Sequence, residues 1–292
     1  MRNLLIIFLL FALPSSVTSG ENPDYWKAEE YYHNSSSQKN AATDLMKHVV
    51  ITGNERILDV GCGDGKITAE IAAKIPDGSA VGVDISPAMI TFAQEAFPQQ
   101  TVPNLGFFLK DAQNLDFDNE FDIIFSFTTL QWIEKHDAFL KGAYNGLKSN
   151  GGFLAITMPM GLPEALKQAV TEIISLPEWS SYFCDFSTGW NFVDDVQYEK
   201  MLTSNGFIPI RLAVVPQKDV FPSRQVFEKF ISQWFPYLRP LPQGLKADFL
   251  TQVIDRFLKL ESPFPNGEVH FKIRRLEVTA YKHPTSLDLF RN

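Results

Sequence analysis

A short run of glycines after an apolar strand is the part of this sequence best suited to chemistry. The strand, Arg56 to Val60, leads into a loop with glycines at positions 61, 63 and 65, and a helical pattern begins at Lys66. Glycine has no Cβ and tolerates positive φ, so such a loop lets the backbone pass close to a ligand. We expect the loop amides and the N-terminus of the following helix to face that ligand. The G-x-G-x-x-G spacing of a dinucleotide site is absent, because Lys66 stands where the third glycine would fall.

Acidic residues accompany three of the predicted strands. Asp59 precedes the glycine loop, Asp84 ends the run that starts at Ala80, and Asp111 follows the third apolar run. In α/β sheets ligands sit at the carboxyl ends of the strands, where an acid can bind a pair of ribose hydroxyls. A single acid is equally well explained as a helix N-cap, but three acids at successive strand ends favour one shared ligand site.

The elements that must position these residues alternate along the chain. Four further apolar runs follow the first strand, at 80–84, 107–109, 121–126 and 152–157. Helical patterns at 66–75, 87–97 and 134–148 lie between them. Near-continuous apolar strands that alternate with helices indicate a parallel sheet covered on both faces, so the fold class is α/β.

The rest of the chain reads as more sheet with a helical lid. Residues 20–50 form an N-terminal helical cover, with a helix expected over Ala41–Val50, and residues 51–160 form the ligand-binding core. Residues 161–292 supply a sixth strand at Phe207–Phe221, a seventh at Val269–Tyr281, and a helical insertion at about 223–261. An insertion of this kind is a natural lid over the carboxyl edge of the sheet.

Composition excludes several classes of protein. The chain has 292 residues, 45% of them hydrophobic and 21% charged, which is typical of a globular protein. A net charge of −8 argues against a nucleic-acid substrate, which selects a basic patch. The two cysteines, Cys62 and Cys184, and the five scattered histidines show no metal-ligand spacing, so we expect no metal.

The N-terminus has the features of a secretory signal. Met1 and Arg2 precede a short apolar stretch, and the small residues before Gly20 offer a cleavage site, so residues 1–19 are expected to be a signal peptide. The stretch is shorter than the roughly 20 residues of a membrane span, so we expect no stable span after cleavage. The protein is therefore expected to be exported, to the periplasm or outside the cell, if this signal functions, and cytoplasmic otherwise.

The pattern of Asp59 and the glycines resembles motif I of the class I methyltransferases that use S-adenosylmethionine (SAM). The resemblance implies a Rossmann-like seven-stranded sheet, mostly parallel with an antiparallel last strand, and SAM as the cofactor. It also implies a role for each strand end. The methionine moiety would lie against Asp59, Gly61, Cys62, Gly63 and Gly65, the ribose against Asp84, adenine against Ile85, its amino edge against Asp111 and Ala112, and the sulfonium beside Ser126.

Other segments resemble the trans-aconitate and juvenile hormone acid methyltransferases, which make methyl esters of carboxylic acids. These segments are Tyr31–Ala41, Thr128–Ile133 and, more loosely, the closing strand from Gly267. The resemblance implies that Gln38 and Trp132 orient a substrate carboxylate through their N–H donors. A carboxylate is already ionised at neutral pH, since its usual pKa is about 4, so no general base is needed.

Three other functions stay open from the sequence. The acceptor could be an acid bound to a carrier protein, although the acidic chain shows no clear basic rim for an acidic carrier. It could instead be a small metabolite methylated on nitrogen or carbon, which usually needs a base or an acidic cage. An exported SAM-binding protein without catalysis is the third, and the complete set of acids and glycines speaks against it. SAM is made in the cytosol, so an exported SAM enzyme would be unusual.

Overall fold

The computed structural model describes residues 26–261 and 266–283, so the expected signal peptide lies outside the described residues. Within them the chain forms one seven-stranded sheet in the order β3-β2-β1-β4-β5-β7-β6. The strands are β1 Arg56–Val60, β2 Ser79–Asp84, β3 Leu105–Leu109, β4 Ile123–Phe127, β5 Phe153–Pro159, β6 Phe207–Phe221 and β7 Val269–Lys282. The helices are α1 Ala28–Asn34, α2 Ser36–Met46, α3 Lys66–Ala72, α4 Pro87–Ala96, α5 His136–Gly146, α6 Glu164–Ile174, α7 Asp195–Ser204, α8 Arg224–Trp234 and α9 Lys246–Glu261.

The sheet confirms the predicted fold class. Strands β1 to β5 pair in parallel, while β7 runs antiparallel to both β5 and β6. Two apolar clusters cover the two faces, one with Leu58 and Val60, the other with Ile57 and Phe125. Because β1 and β4 bury side chains on both faces, they read as continuous apolar runs in the sequence.

The β6–β7 hairpin is longer than the rest of the sheet. Strand β5 ends at Pro159, which pairs with Arg275, but β6 and β7 continue together as far as the pair Phe221 and Val269. This extension carries α8 and α9, whose aromatic side chains form a third apolar cluster, the lid core, with Phe271. The predicted lid is therefore anchored on the hairpin at the carboxyl edge of the sheet.

The lid core includes more of the chain than the expected insertion at 223–261. Helix α6 and the segment after it also pack into this core. Trp179 lies edge-on to Phe249 of α9, with ring centroids 5.2 Å apart. No helix of the described residues is both long enough and apolar enough to span a bilayer.

The N-terminal cover differs from the prediction. Two helices, α1 and α2, replace the single helix expected over Ala41–Val50, and α2 ends at Met46. Its buried stripe begins with Ser37 and Gln38 before it reaches Ala41. An apolar-periodicity argument starts the helix too late here, because the first buried positions of α2 are polar.

Candidate active site

The glycine loop between β1 and α3 adopts a conformation that only glycine accommodates easily. Gly61, Gly63 and Gly65 have φ values of 78°, 53° and 78°. A Cβ on Gly61 would lie only 2.1 Å from the Thr129 hydroxyl oxygen. The loop therefore passes directly under the segment that follows β4, and any side chain at position 61 would push the two apart.

The loop amides are used differently from the prediction. The N–H groups of Gly61 and Cys62 donate to the carbonyl of Val83 at 2.7 and 3.0 Å, and that of Gly63 donates to Asp84 Oδ2 at 2.9 Å. The expectation that these amides face a ligand is wrong, because the neighbouring strand β2 supplies their acceptors. The loop instead lets a ligand come close to its backbone and to the carboxyl groups that lie around it.

Three carboxyl groups, those of Asp59, Asp64 and Asp84, lie around this loop. Asp59 is 1% exposed and accepts a hydrogen bond from the Thr68 hydroxyl at 2.6 Å, while its Oδ1 has no partner. Burial raises the pKa of Asp59 to about 7, against the hydrogen bond from Thr68, and the charges of Asp84 and Asp64 add to the rise. Burial likewise raises the pKa of Asp64, against the hydrogen bonds that it accepts from the Lys66 backbone amide and the Ser35 side chain.

These groups fit SAM, which carries a sulfonium and an ammonium group. Orphaned buried carboxylate oxygens are costly unless a ligand satisfies them, and a cation does so best. At Gly63 a Cβ would have only the Tyr31 ring as a neighbour, at 3.7 Å, so the backbone there has room for a ligand to approach. Asp59 and Asp64 would thus hold the cationic methionine part of the cofactor.

The adenosine side of the site is formed by β2 and β3. Asp84 and Leu109 are register partners, and the Lys110 amide donates to the Asp84 carbonyl at 2.9 Å, so the two strand ends meet at one edge. Ile85, directly after Asp84, is 65% exposed. Asp111 accepts the Gln113 amide at 2.9 Å in the following turn. The predicted ribose and adenine residues are thereby brought together.

Three of the predicted cofactor residues turn their side chains toward the core. Ser126 is fully buried and its hydroxyl donates to the Val60 carbonyl at 2.9 Å. Cys62 is buried in the apolar cluster beneath the loop, and Ala112 packs against the cluster on the other face. The predicted contact of Ser126 with the sulfonium stays a prediction, since that hydroxyl already has an acceptor. Thr128, two residues later, lines the cavity described next.

A cavity lies between the N-terminal cover, the segment after β4 and the lid. Gln38 and Trp132, the two predicted substrate residues, both line it. Most of the other lining side chains are aromatic or aliphatic. They include Trp26, Tyr31, Leu162, Trp190, Phe192, Phe230, Trp234, Phe271 and Ile273.

Tyr31 connects this cavity with the glycine loop. Its ring atom Cε1 lies 3.7 Å from the position that a Cβ on Gly63 would take, and it also lines the cavity. Trp26 packs edge-on against both Tyr31 and Trp132, at 5.7 and 5.6 Å between ring centroids. Burial, with the charges of Asp64 and Asp84, raises the pKa of the Tyr31 phenol, so it stays neutral.

Helix α1 is held over the loop by Lys66. The Lys66 ammonium donates to the Tyr32 carbonyl and lies over the Tyr32 ring, 3.9 Å from its centroid. This contact joins the first residue of α3 to the N-terminal cover. The N-terminal cover therefore contacts both the glycine loop and the cavity.

Arg275 is the charged residue of the cavity lining. It is 4% exposed, and its Nη atoms donate to Glu277 at 2.9 Å and to Asp44 at 3.0 Å. Its Nε has no partner. Among the described residues, no Asp, Glu, His, Lys or Cys lines the cavity.

Sequence reasoning missed several residues of this site. Asp64 lies between Gly63 and Gly65 of the loop, and its acidic side chain could have marked it as a candidate ligand-binding residue. Gln217 and Trp234 reach the cavity from β6 and α8, and no local pattern marks them. Arg274 and Arg275 are both candidates for the pocket rim from the sequence, and only the structure shows that Arg275 is the one that is buried and lines the cavity.

Comparison with known proteins agrees with this geometry. A family model described as a methyltransferase domain matches residues 51–201. A putative methyltransferase of Invertebrate iridescent virus 6 is 27% identical over 232 residues, covering 80% of this chain and 85% of the relative. A trans-aconitate 2-methyltransferase of Methylobacterium radiotolerans is 27% identical over 242 residues, covering 79% and 89%.

Solved structures share the fold. The YcgJ protein of Bacillus subtilis superposes with a TM-score of 0.58 at 15% identity, covering 85% of this chain and all of that one. The family match spans the glycine loop and the acids at the ends of β1, β2 and β3. The chain belongs to the methyltransferase-domain family and is a SAM-dependent methyltransferase.

Proposed function

We propose that the enzyme transfers the methyl group to a small-molecule carboxylate and forms a methyl ester. The observation that carries this proposal is the lining of the cavity. Among the described lining residues only Tyr31 and Arg275 are titratable, the pKa of Tyr31 is raised, and arginine does not act as a base. A methyl acceptor that must lose a proton would find no general base in this lining, whereas a carboxylate needs no base because it is already ionised.

The residues of the cavity have matching roles. Bound SAM supplies an electrophilic methyl group on its sulfonium. Arg275 Nε and the Trp234 indole N–H, both without partners, are donors that a carboxylate accepts from. Gln38 and Trp132 would hold the carboxylate in line with that methyl group, so catalysis is alignment in a water-poor cavity.

The relatives support the same class of acceptor. Several curated relatives at 24–27% identity are trans-aconitate 2-methyltransferases, and the name gives a carboxylic acid as their substrate. In this proposal the segments of the chain have separate roles: residues 20–50 cover the site, residues 51–160 bind SAM, and residues 161–292 supply the remaining strands and the lid.

A methylation screen tests the proposal. The purified protein is incubated with SAM and a panel of carboxylic, amino and hydroxyl compounds, and products are identified by mass and by release of methanol in mild base. We expect esters of at least one carboxylic acid. Methylation confined to an amine or an alcohol would contradict the proposal.

Two variants test the residue roles. Gln38→Ala and Trp132→Ala should lower ester formation by about tenfold or more, while SAM affinity stays within about twofold. Trp179→Ala is the matched control, because Trp179 packs in the lid core and does not line the cavity. Loss of SAM binding in the cavity variants would count against a substrate role.

A further inference from the structure

Several buried polar atoms without partners belong to residues that line the substrate cavity. Buried polar atoms are nearly always paired in folded proteins, so several orphans around one cavity point to a ligand or to ordered water. Five such atoms belong to lining residues: Gln38 Oε1, Gln131 Oε1, Gln217 Oε1, Trp234 Nε1 and Arg275 Nε.

Gln217 on β6 is the best anchored of these residues. Its amide nitrogen donates to Asp219 Oδ2 at 2.6 Å, to the Ser37 hydroxyl at 2.9 Å and to the Ser37 carbonyl at 3.1 Å. Asp219 is itself held by the Ser37 hydroxyl at 2.7 Å and by Asn40 at 3.3 Å. A flipped amide would place its oxygen against the carboxylate of Asp219. The orientation is therefore fixed, and Oε1 can only accept.

Gln131 is fixed in the same way. Its amide nitrogen donates to the Thr128 carbonyl at 2.8 Å, which leaves Oε1 as an acceptor. Both glutamines are more than nine-tenths buried. The residues that line the cavity thus carry two fixed acceptors in addition to the two N–H donors of Trp234 and Arg275.

An ionised carboxylate cannot satisfy this set, because it only accepts hydrogen bonds. It pairs with the N–H donors and leaves Gln217 Oε1 without a partner. We propose, on the basis of the proposed function, that the acid also carries a hydrogen-bond donor, a hydroxyl or an amide N–H, which donates to Gln217 Oε1. Gln217 is then a specificity-determining residue, positioned by Asp219, and Gln131 is a second acceptor for the same polar part of the substrate.

An enzyme with this requirement differs from one that methylates any carboxylic acid. Ionised trans-aconitate and a plain fatty acid both lack any donor, so each would leave the acceptor unpaired. A site built around a polar group discriminates strongly against the analogue that lacks it, since the buried partner then stays unsatisfied.

The test compares acids that differ in the donor. Decanoic acid, its 3-hydroxy and 10-hydroxy derivatives, N-octanoylglycine and trans-aconitate are titrated into protein loaded with S-adenosylhomocysteine, by calorimetry, and each is assayed for ester formation with SAM. We expect at least one donor-bearing acid to bind about tenfold or more tightly than decanoic acid. Comparing the two hydroxydecanoic acids with N-octanoylglycine shows whether the donor is a hydroxyl or an amide N–H.

Gln217→Met keeps the length of the side chain and removes the acceptor. It should abolish the preference, because the donor-bearing acid loses its acceptor while decanoic acid no longer leaves one unpaired and so binds at least as tightly as it does to wild type. Gln217→Asn, which withdraws the amide by one methylene, should weaken the preference and serves if the methionine variant does not fold. Equal binding of all acids by wild type, or a preference that survives in the variants, overturns the inference. Esters formed equally from every acid would leave the proposed function standing. A donor preference without any ester would overturn the function alone.

Discussion

Replacing Asp59 with asparagine should make the protein without cofactor more stable and its complex with SAM weaker. Asp59 is buried under the glycine loop, where its Oδ2 accepts from Thr68 at 2.6 Å. Burial raises the pKa of Asp59 to about 7 from its usual 3.8. Asparagine has nearly the same shape, carries no charge, and can still accept from Thr68.

The magnitude follows from this difference in pKa. A pKa near 7 in place of 3.8 corresponds to about 4 kcal/mol in favour of the protonated carboxyl. The folded protein therefore holds a proton that the unfolded chain has released, and its free energy of unfolding falls as pH rises from about 4 to about 7. Above pH 7 the loss is complete. The asparagine side chain has no proton to lose, so the Asp59→Asn variant gains up to about 4 kcal/mol over wild type across that range.

SAM binding should show the opposite dependence on pH. The cationic cofactor favours the ionised carboxylate, so below pH 7 binding must release the proton of Asp59. One released proton corresponds to about tenfold in affinity for each pH unit, or about a hundredfold between pH 7 and pH 5. The Asp59→Asn variant should lose this dependence and bind SAM more weakly than wild type at pH 8.

Calorimetry in two buffers of different ionisation enthalpy counts the released proton directly, and urea unfolding between pH 4.5 and 8 gives the stability. Asp77→Asn is the control, since it removes an exposed acid between α3 and β2 and leaves Asp59 and its surroundings intact. The reasoning is wrong if Asp59→Asn keeps the wild-type proton release, or if it is less stable than wild type at pH 8.

Two further substitutions test the cofactor side of the site. Asp84→Ala should weaken SAM binding by more than about tenfold, measured by calorimetry, whereas Asp77→Ala, an exposed acid between α3 and β2, should leave it unchanged. Gly61→Ala should abolish SAM binding, because its Cβ would collide with Thr129. Gly151→Ala is the control: Gly151 has φ of 99° and no neighbour near a Cβ, so this variant adds the backbone strain alone and should retain SAM binding. Equal affinity in either pair would contradict the placement of that residue.

Much of the fold is predictable because its signals are local. The strands β1 to β5 are continuous apolar runs, and the predicted bounds of β6, Phe207–Phe221, match the structure. The gathering of the acids and glycines at one edge of the sheet is predictable for a related reason. Strand ends of a parallel sheet share one edge, so an acid or a glycine after each strand must lie near the next.

The substrate side is not predictable in this way. The contact between Ser37 and Asp219 joins residues 182 positions apart, and it exists only because the β6–β7 hairpin continues past the end of β5. The buried face of α2 begins with polar side chains, which hides the start of that helix from a periodicity argument. Both features serve the cavity, and both break the local rules that locate the rest.

The charges of the two halves of the site also explain the missing base. Asp59, Asp64 and Asp84 lie around the half that would receive the cationic cofactor, while Arg275 lies in the half that would receive an anion. Transfer of a methyl cation from a sulfonium to a carboxylate removes one charge of each sign, so the transition state is less polar than the two reactants. An apolar cavity disfavours the separated charges more than the transition state. For a carboxylate acceptor, the aromatic lining and the absence of a base among the described lining residues are therefore two parts of one mechanism.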